Sequence, residues 1–454
     1  MFDPILDRLD RFGFSAEGEA TRQHDFRIVR RLIYLYFILL LVEGVLRKWV
    51  LPQLSGPLLI VRDPVVILAY LLALRSGFFP WNAFVVSGLL LGLMSLAGGL
   101  LVEGSSVPVA LYGFRTDFLQ IPFLFLMQRV LGGEDVARLG RWILVATIPV
   151  ALLMLAQYLS PPTSFINTSA NNIGSQLEAI GDRIRPPGPF SFITGVSEFF
   201  TLAMAFVMGG LIDHRRYPLQ LVVAAGGAMI LGTIVSISRL TIACEAIVVL
   251  SFFIACLFRP GLAFKFAIGA VFGIFLFLVL GRGGMTADAL DVFSQRVELA
   301  SDFEEQTGQG TSTRVALMFT EPLLFIERMP WLGQGLGTGT NAGAALATGH
   351  AATSEGEWGR VVLESGPILG CGFLLWRVLF LLYLGAASFR LCAHGYMMPF
   401  LLCGASAYLL LVGQWGRPTT LGFSIFSSGL CLASMAASRR LEAARVAALR
   451  EAGL

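Results

Sequence analysis

Three arginines stand where an otherwise apolar chain has turn-forming or capping residues. Arg185 lies in Arg183-Ile-Arg185-Pro-Pro-Gly-Pro-Phe, Arg239 ends Ser236-Ile-Ser238-Arg239, and Arg314 follows Thr311-Ser-Thr313. A guanidinium fork suits bidentate binding of phosphate. Further along, His350 is followed by Glu355, Glu357, Trp358 and Arg360, and Glu364-Ser-Gly366-Pro comes next. A histidine or carboxylate can take a proton from an attacking hydroxyl. His350, Glu355 and Glu357 are therefore candidate bases, and Arg314 is a candidate for stabilising charge that builds up on a leaving group. Blander readings compete: an arginine at a bilayer surface snorkels to headgroups, and a lone loop histidine is more often solvated than catalytic.

A second set is Glu43-Gly-Val-Leu-Arg47-Lys48-Trp49, then Arg62-Asp63-Pro64, then Tyr112-Gly-Phe-Arg115-Thr-Asp117. Ionisable residues in apolar segments are costly and face a bundle interior or a wet cavity. Arg62 and Asp63 read either as a self-neutralising pair or as cavity-lining groups. Arg115 and Asp117 are two apart, so on one helix they point in different directions and call for partners elsewhere. Glu198 and Glu245 are buried hydrogen-bond anchors or parts of a site. The run Pro330-Trp-Leu-Gly333-Gln-Gly335-Leu-Gly337-Thr-Gly339 lets backbone approach an anion closely, or is a flexible loop. It is neither a dinucleotide fingerprint nor a P-loop.

The elements that must position these residues are membrane helices. Of 454 residues, 56% are hydrophobic and only 14% are charged, with a net charge of +3 and a mean hydropathy of +0.74. A soluble domain carries about 25% charged residues. Disorder, a disulfide scaffold and nucleic-acid binding are excluded. Segments of about 20 apolar residues fall at 32–46, 57–74, 82–102, 115–131, 142–158, 190–212, 218–238, 240–258, 261–281, 361–383, 396–415 and 418–437, twelve in all. The alternation of an outer-membrane barrel is missing, and the charged start is unlike a cleavable signal.

With twelve spans, the arginines at 22, 27, 30, 31, 75, 129, 138, 141, 215, 216, 390, 439, 440, 445 and 450 all fall on one side. The positive-inside rule then makes both ends cytoplasmic. The expected division is a cytoplasmic segment 1–31, spans one to nine over 32–281 with an external loop 159–189, and a large periplasmic loop 282–360 with short helices. Spans ten to twelve follow over 361–437, and a cytoplasmic surface helix covers 438–454. The large loop holds ten acids against five arginines. The six cysteines have no CxxC spacing, so they read as packers, and no metal site is expected. On this topology Arg185, Arg239, Arg314 and His350 share the outer face. A ligand of matching chemistry is an anionic lipid head such as a polyprenyl pyrophosphate.

At these residues the chain resembles the bacterial O-antigen ligase and Wzy-type polysaccharide polymerase superfamily. The resemblance rests on Arg185-Pro-Pro-Gly-Pro-Phe, on Ser238-Arg239, and on Arg314 with Met329-Pro-Trp-Leu-Gly-Gln-Gly-Leu-Gly. It also rests on His350 ahead of Glu364-Ser-Gly366, while Glu43-Gly-Val-Leu-Arg-Lys-Trp and Arg62-Asp63-Pro are similar to exopolysaccharide-polymerase-like members. It implies an all-α, GT-C-like fold of about twelve membrane helices in the bacterial inner membrane. It also implies a metal-independent glycosyltransferase without cofactor that polymerises undecaprenyl-pyrophosphate-linked repeat units at the periplasmic face.

The implied partners are the lipid-linked donor, a glycan acceptor, the bilayer, a chain-length regulator and a flippase. In that reading Arg185, Arg239 and Arg314 hold the pyrophosphate, the base is His350, Glu355 or Glu357, and Arg62, Asp63, Arg115 and Asp117 line the cavity. One departure is the stretch Ala351-Ala-Thr-Ser-Glu355-Gly-Glu357, inserted where ligases bring their histidine close to the next span. A ligase transferring glycan to lipid A core or protein is the rival with the same chemistry. A transporter or flippase is the rival of another class, with charges near the bilayer midplane.

Overall fold

The structure, a computed structural model, describes residues 16–102, 106–170, 184–258, 311–325, 329–340, 354 and 356–451. Its regular elements are all helical. In chain order they are α1 (Ala16–Val45), α2 (Asp63–Arg75), α3 (Ala83–Leu101), α4 (Val107–Phe114), α5 (Ile121–Val130) and α6 (Gly133–Leu159). There follow α7 (Ile193–Ile212), α8 (Leu219–Ser236), α9 (Arg239–Leu257), α10 (Thr311–Thr320), α11 (Glu357–Ala393), α12 (Met398–Leu411) and α13 (Pro418–Glu451).

Eight helices are long and apolar enough to cross a bilayer: Pro57–Arg75, Ala83–Leu101, Gly133–Leu159, Ile193–Ile212, Leu219–Ser236, Arg239–Leu257, Glu357–Ala393 and Pro418–Glu451. This is the pattern of a polytopic membrane protein, in which each helix satisfies its own backbone where water is absent. Three more of the twelve expected segments coincide with α1, with the run from α4 through α5, and with α12. The ninth, 261–281, lies outside the described residues. Segment 438–451, expected as a separate surface helix, continues α13 without a break to Glu451.

Two helices form the centre. The apolar windows of α13 and α7 are 89% and 78% buried, whereas the other six are buried over less than half their length. α13 packs along α5 and α12, α7 along α9 and α12, and α6 along α8. The outer helices leave leucines such as Leu71, Leu90 and Leu93 exposed, as a lipid-facing surface requires. Close approach explains particular glycines: a Cβ at Gly140 would strike Phe206, and one at Gly429 would strike Met127.

The long helices alternate in direction up to α9, and α11, α12 and α13 alternate in turn, so the bundle has two ends. At the lower end Ser76 bonds Asp25, Arg30 pairs with Asp135 and Arg141 donates to the carbonyl of Arg216. The arginines expected on one side of a membrane thus gather at one end. At the upper end lie the last turn of α1, the first turns of α2, α7, α9, α11 and α13, and the glycine-rich segment 329–340. Here the helices start by recognisable means: Ser238 caps α9, while Pro64 and Pro418 open α2 and α13.

Candidate functional site

The upper end is built on a chain of buried ion pairs. Between α4 and α5 the backbone passes through a π-helix, Arg115–Leu119, an element common at functional sites. Arg115 and Asp117 leave it in different directions. The Arg115 Nε donates to the Asp63 carboxylate and its Nη2 lies 2.7 Å from the carbonyl of Leu59. Asp63 also accepts from Gln120 Nε2 at 3.1 Å, and Gln120 in turn accepts from the Tyr36 hydroxyl. Arg62 faces the other way: its Nη2 lies 3.3 Å from Glu43 and bonds the carbonyl of Pro418, and its Nη1 meets Tyr36. Glu43 is shared with Arg47 at 3.6 Å. Arg62 and Asp63 therefore do not neutralise each other; each is matched by a separate helix, because adjacent residues at a helix start point apart.

Asp117 meets Arg360 of α11, with Nη2–Oδ1 2.7 Å. Arg360 also holds Glu357 through Nε at 3.0 Å and Glu364 through Nη1 at 3.1 Å. Glu357 receives Arg377 Nη1 at 2.7 Å and the backbone N–H of Trp415 at 3.1 Å. Arg377 spends its remaining donors on the carbonyls of Leu409, Leu410 and Gly413. Three carboxylates and two guanidiniums are thus locked together by nearly all their polar atoms. Buried charges demand this, since removing ions from water costs several kcal/mol each unless partners return it.

The glycine-rich segment is seated on the same network. Gly333, Gly335 and Gly337 have positive φ of 73°, 109° and 89°. The backbone N–H groups of Gly337 and Gly339 donate to the Glu364 carboxylate at 2.9 and 3.0 Å. Gln334 N bonds the carbonyl of Leu363 at 2.8 Å. The anion that this backbone cradles is a side chain of the protein itself. α11 is broken at Gly366 (φ 78°) before Pro367, and a Cβ at Gly366 would strike the carbonyl of Trp331. The kink therefore makes room for the loop.

Two adjoining cavities open above this frame, the larger mostly polar and the smaller mostly apolar. One, of about 380 Å³, is bounded by Thr340, Ser354, Glu357, Arg360, Gln414 and Arg417. The other, of about 230 Å³, is bounded by Glu198, Leu240, Met318, Glu357, Tyr408 and Arg417. Glu357, Gln414 and Arg417 belong to both. Arg417 is exposed, with its guanidinium 5.4 Å from the ring of Phe192. Glu198 is 6% exposed and uses Oε1 to accept from the Thr420 hydroxyl, while its buried Oε2 has no hydrogen-bond partner.

Of the residues singled out from the sequence, Glu357 lines both cavities, but its carboxylate is fully engaged by Arg360, Arg377 and Trp415. Arg239 opens α9 immediately before the cavity residue Leu240. Arg314 stands in α10 one turn before the cavity residue Met318. Arg185 is half-buried in the extended approach to α7 and borders neither cavity. That approach is held by Gly188 (φ 59°), whose carbonyl accepts from Lys48 Nζ at 2.6 Å. Arg62, Asp63 and Arg115 sit beneath, in the ion-pair chain, and Asp117 and Arg360 connect that chain to the larger cavity's wall. His350 and Glu355 lie outside the described residues.

Sequence reasoning passed over Arg417, Gln414 and Arg377. The signal for Arg417 was present: in Gln414-Trp-Gly-Arg417-Pro it is an arginine on the side away from the basic loops, as Arg239 is. Arg377 also carried a signal, an ionisable residue inside the apolar run 361–383, although its partners show only after folding. Among the described residues no three His, Cys, Asp or Glu side chains are grouped to hold a metal ion. No protein-family model matches the chain, and no curated protein is significantly similar to it in sequence.

Proposed function

We propose that this is a membrane glycosyltransferase of the polysaccharide-polymerase type. On this reading it has twelve spans in a GT-C-like arrangement in a bacterial inner membrane, with both ends cytoplasmic and the upper end periplasmic. Its donor is a repeat-unit oligosaccharide on a polyprenyl pyrophosphate, and its acceptor is a sugar hydroxyl of another glycan. The supporting observation is the pair of joined cavities. They put one exposed arginine, Arg417, and one incompletely bonded carboxylate, Glu198, beside the backbone positions of Arg239 and Arg314.

The chemistry follows from that pairing. The acceptor oxygen forms a bond to the anomeric carbon as the bond from that carbon to the diphosphate oxygen breaks. The electron pair leaves with the diphosphate, where arginines stabilise it. The hydroxyl proton passes to a base, for which Glu198 joins His350 and Glu355 as a candidate. Glu357 is better suited to hold Arg360 and the Trp415 backbone in place than to accept a proton. The fixed ion-pair frame beneath supplies the rigidity that charge stabilisation needs.

The test is extension of a purified lipid-linked repeat unit by detergent-solubilised protein. Products of two or more repeats on the carrier are expected. Transfer only to lipid A core or protein would favour the ligase, and movement of the lipid across vesicles without any new glycosidic bond would favour the flippase.

A further inference from the structure

The lower end carries a second feature that the proposed chemistry does not use. α1 and α6 run in the same direction, and between their lower halves lies a groove of about 710 Å³. Four arginines, Arg27, Arg30, Arg31 and Arg138, face it against two carboxylates, Glu134 and Asp135. The helices are tied around Tyr34, whose hydroxyl donates to Asp135 at 3.1 Å and also interacts with Arg138, and Arg30 pairs with the same carboxylate at 3.6 Å. Asp135 is thereby spent within the protein. Arg31 and Arg138 are exposed, and among the described residues neither is in an ion pair.

The two helices repeat one pattern in register. Along α1, Arg31, Leu35 and Ile38 share a face, the leucine and isoleucine being 41% and 42% exposed. Along α6, Arg138, Trp142 and Val145 share a face, the tryptophan and valine being 42% and 54% exposed. Both sets have the i, i+4, i+7 spacing of one helical stripe. Trp142 packs edge-on against Tyr34 with centroids 5.2 Å apart, and paired aromatics of this kind mark the level of a membrane interface. From arginine to Ile38 or Val145 the rise is about 10 Å, more than the roughly 5–8 Å of one headgroup layer, so the far ends of the stripes reach acyl-chain depth.

We infer that this groove is a binding site for an anionic glycerophospholipid. The phosphate sits between Arg31 and Arg138, the glycerol lies at Tyr34 and Trp142, and the acyl chains run along the two apolar stripes. Basic pockets between membrane helices hold anionic headgroups in this way. A soluble anion would use the arginines but not the exposed stripes, and a zwitterionic lipid would bring its own ammonium against them.

The experiment is native mass spectrometry of the delipidated full chain with equimolar dioleoyl phosphatidylglycerol and dioleoyl phosphatidylcholine. The wild type should retain phosphatidylglycerol preferentially. Arg31→Gln with Arg138→Gln should lower its retention roughly 30-fold, at about a factor of five for each arginine, and leave phosphatidylcholine unchanged. Arg215→Gln with Arg216→Gln, at the same end but outside the groove, should change neither. Equal retention of the two lipids, unchanged retention in the groove variant, an equal loss in the control pair, or displacement by millimolar inorganic phosphate would each overturn the site. Should the groove variant fail to fold, thermal unfolding of the wild type decides. Phosphatidylglycerol must raise its midpoint above that in phosphatidylcholine, and the absence of a difference overturns the proposal.

Discussion

Arg360 and Asp117, 243 residues apart, face each other with Nη2 2.7 Å from Oδ1 and Nη1 3.3 Å from Oδ2. Both are almost fully buried. This pair joins the π-helix in the first half of the chain to the start of α11, and through Glu364 to the glycine-rich segment. Breaking it from one side strands a charge. Arg360→Met should destabilise the detergent-solubilised protein by about 3–5 kcal/mol, read as a lowered unfolding midpoint. Asp117→Asn should cost less, because Glu357 and Glu364 still balance Arg360. A cycle with both changes should recover part of the sum, and strict additivity would show that the pair is uncoupled.

The seat of the glycine-rich segment depends on backbone geometry. Gly337 has φ 89°, and a Cβ there would strike the carbonyl of Val109. Gly337→Ala should therefore cost on the order of 1–3 kcal/mol locally and release the 329–340 segment. Limited proteolysis checks this: cleavage within that segment should become faster while the transmembrane core stays resistant. A protease pattern like that of the wild type would refute the docking.

Arg417 contrasts with the buried arginines. It is exposed and touches the rest of the protein through Phe192. Arg417→Ala should leave the unfolding midpoint nearly unchanged, within about 0.5 kcal/mol. Loss of one hydrogen bond to a charged group, about 1.5–3 kcal/mol, should weaken the lipid-pyrophosphate donor roughly 10- to 150-fold. Donor titration against extension rate measures it, and an unaltered KM would remove Arg417 from the site.

Glu198→Gln preserves shape and the partner for Thr420 but cannot accept a proton. If Glu198 is the base, kcat for extension should fall by about 10²–10⁴-fold with donor binding retained. Thr420→Val, which disturbs only the orienting hydrogen bond, should have a smaller effect. Full activity in Glu198→Gln would return the role to His350 or Glu355.

Lys48 supplies a pH signature. It is 2% exposed, its Nζ bonds the carbonyl of Gly188, and burial lowers its pKa from 10.5 to about 7. Below about 7 both folded and unfolded chains carry the proton, and the full cost of burying the charge is felt. Between about 7 and 10.5 the unfolded chain holds the proton and the folded one does not, so stability rises with pH across that window. Unfolding midpoints measured from pH 6 to 10 should show this rise, and Lys48→Met should flatten it.

Much of the architecture was legible in the chain before folding. Apolar runs long enough for a bilayer, and arginines grouped after alternate runs, marked helices and grouped one end of the bundle. Both signals are local, since each span must satisfy its own backbone and each loop carries its own charge. The non-helical approach through Pro186-Pro-Gly188 was legible for the same reason, whereas the kink at Gly366-Pro367 was not read. The need of Arg115 and Asp117 for partners on other helices was also visible, but not which partners.

Those partners were decided by tertiary structure alone. Arg62 turned from its neighbour Asp63 to Glu43, Asp117 found Arg360, and the glycine cradle closed on Glu364. Arg377 acquired its partners only when α11 and α12 came together. The physical reason is that a charge inside a membrane protein is tolerated through whichever opposite charge or backbone dipole packing brings within hydrogen-bond reach. Sequence composition states how many such charges must be matched, and only the packing of the helices states how.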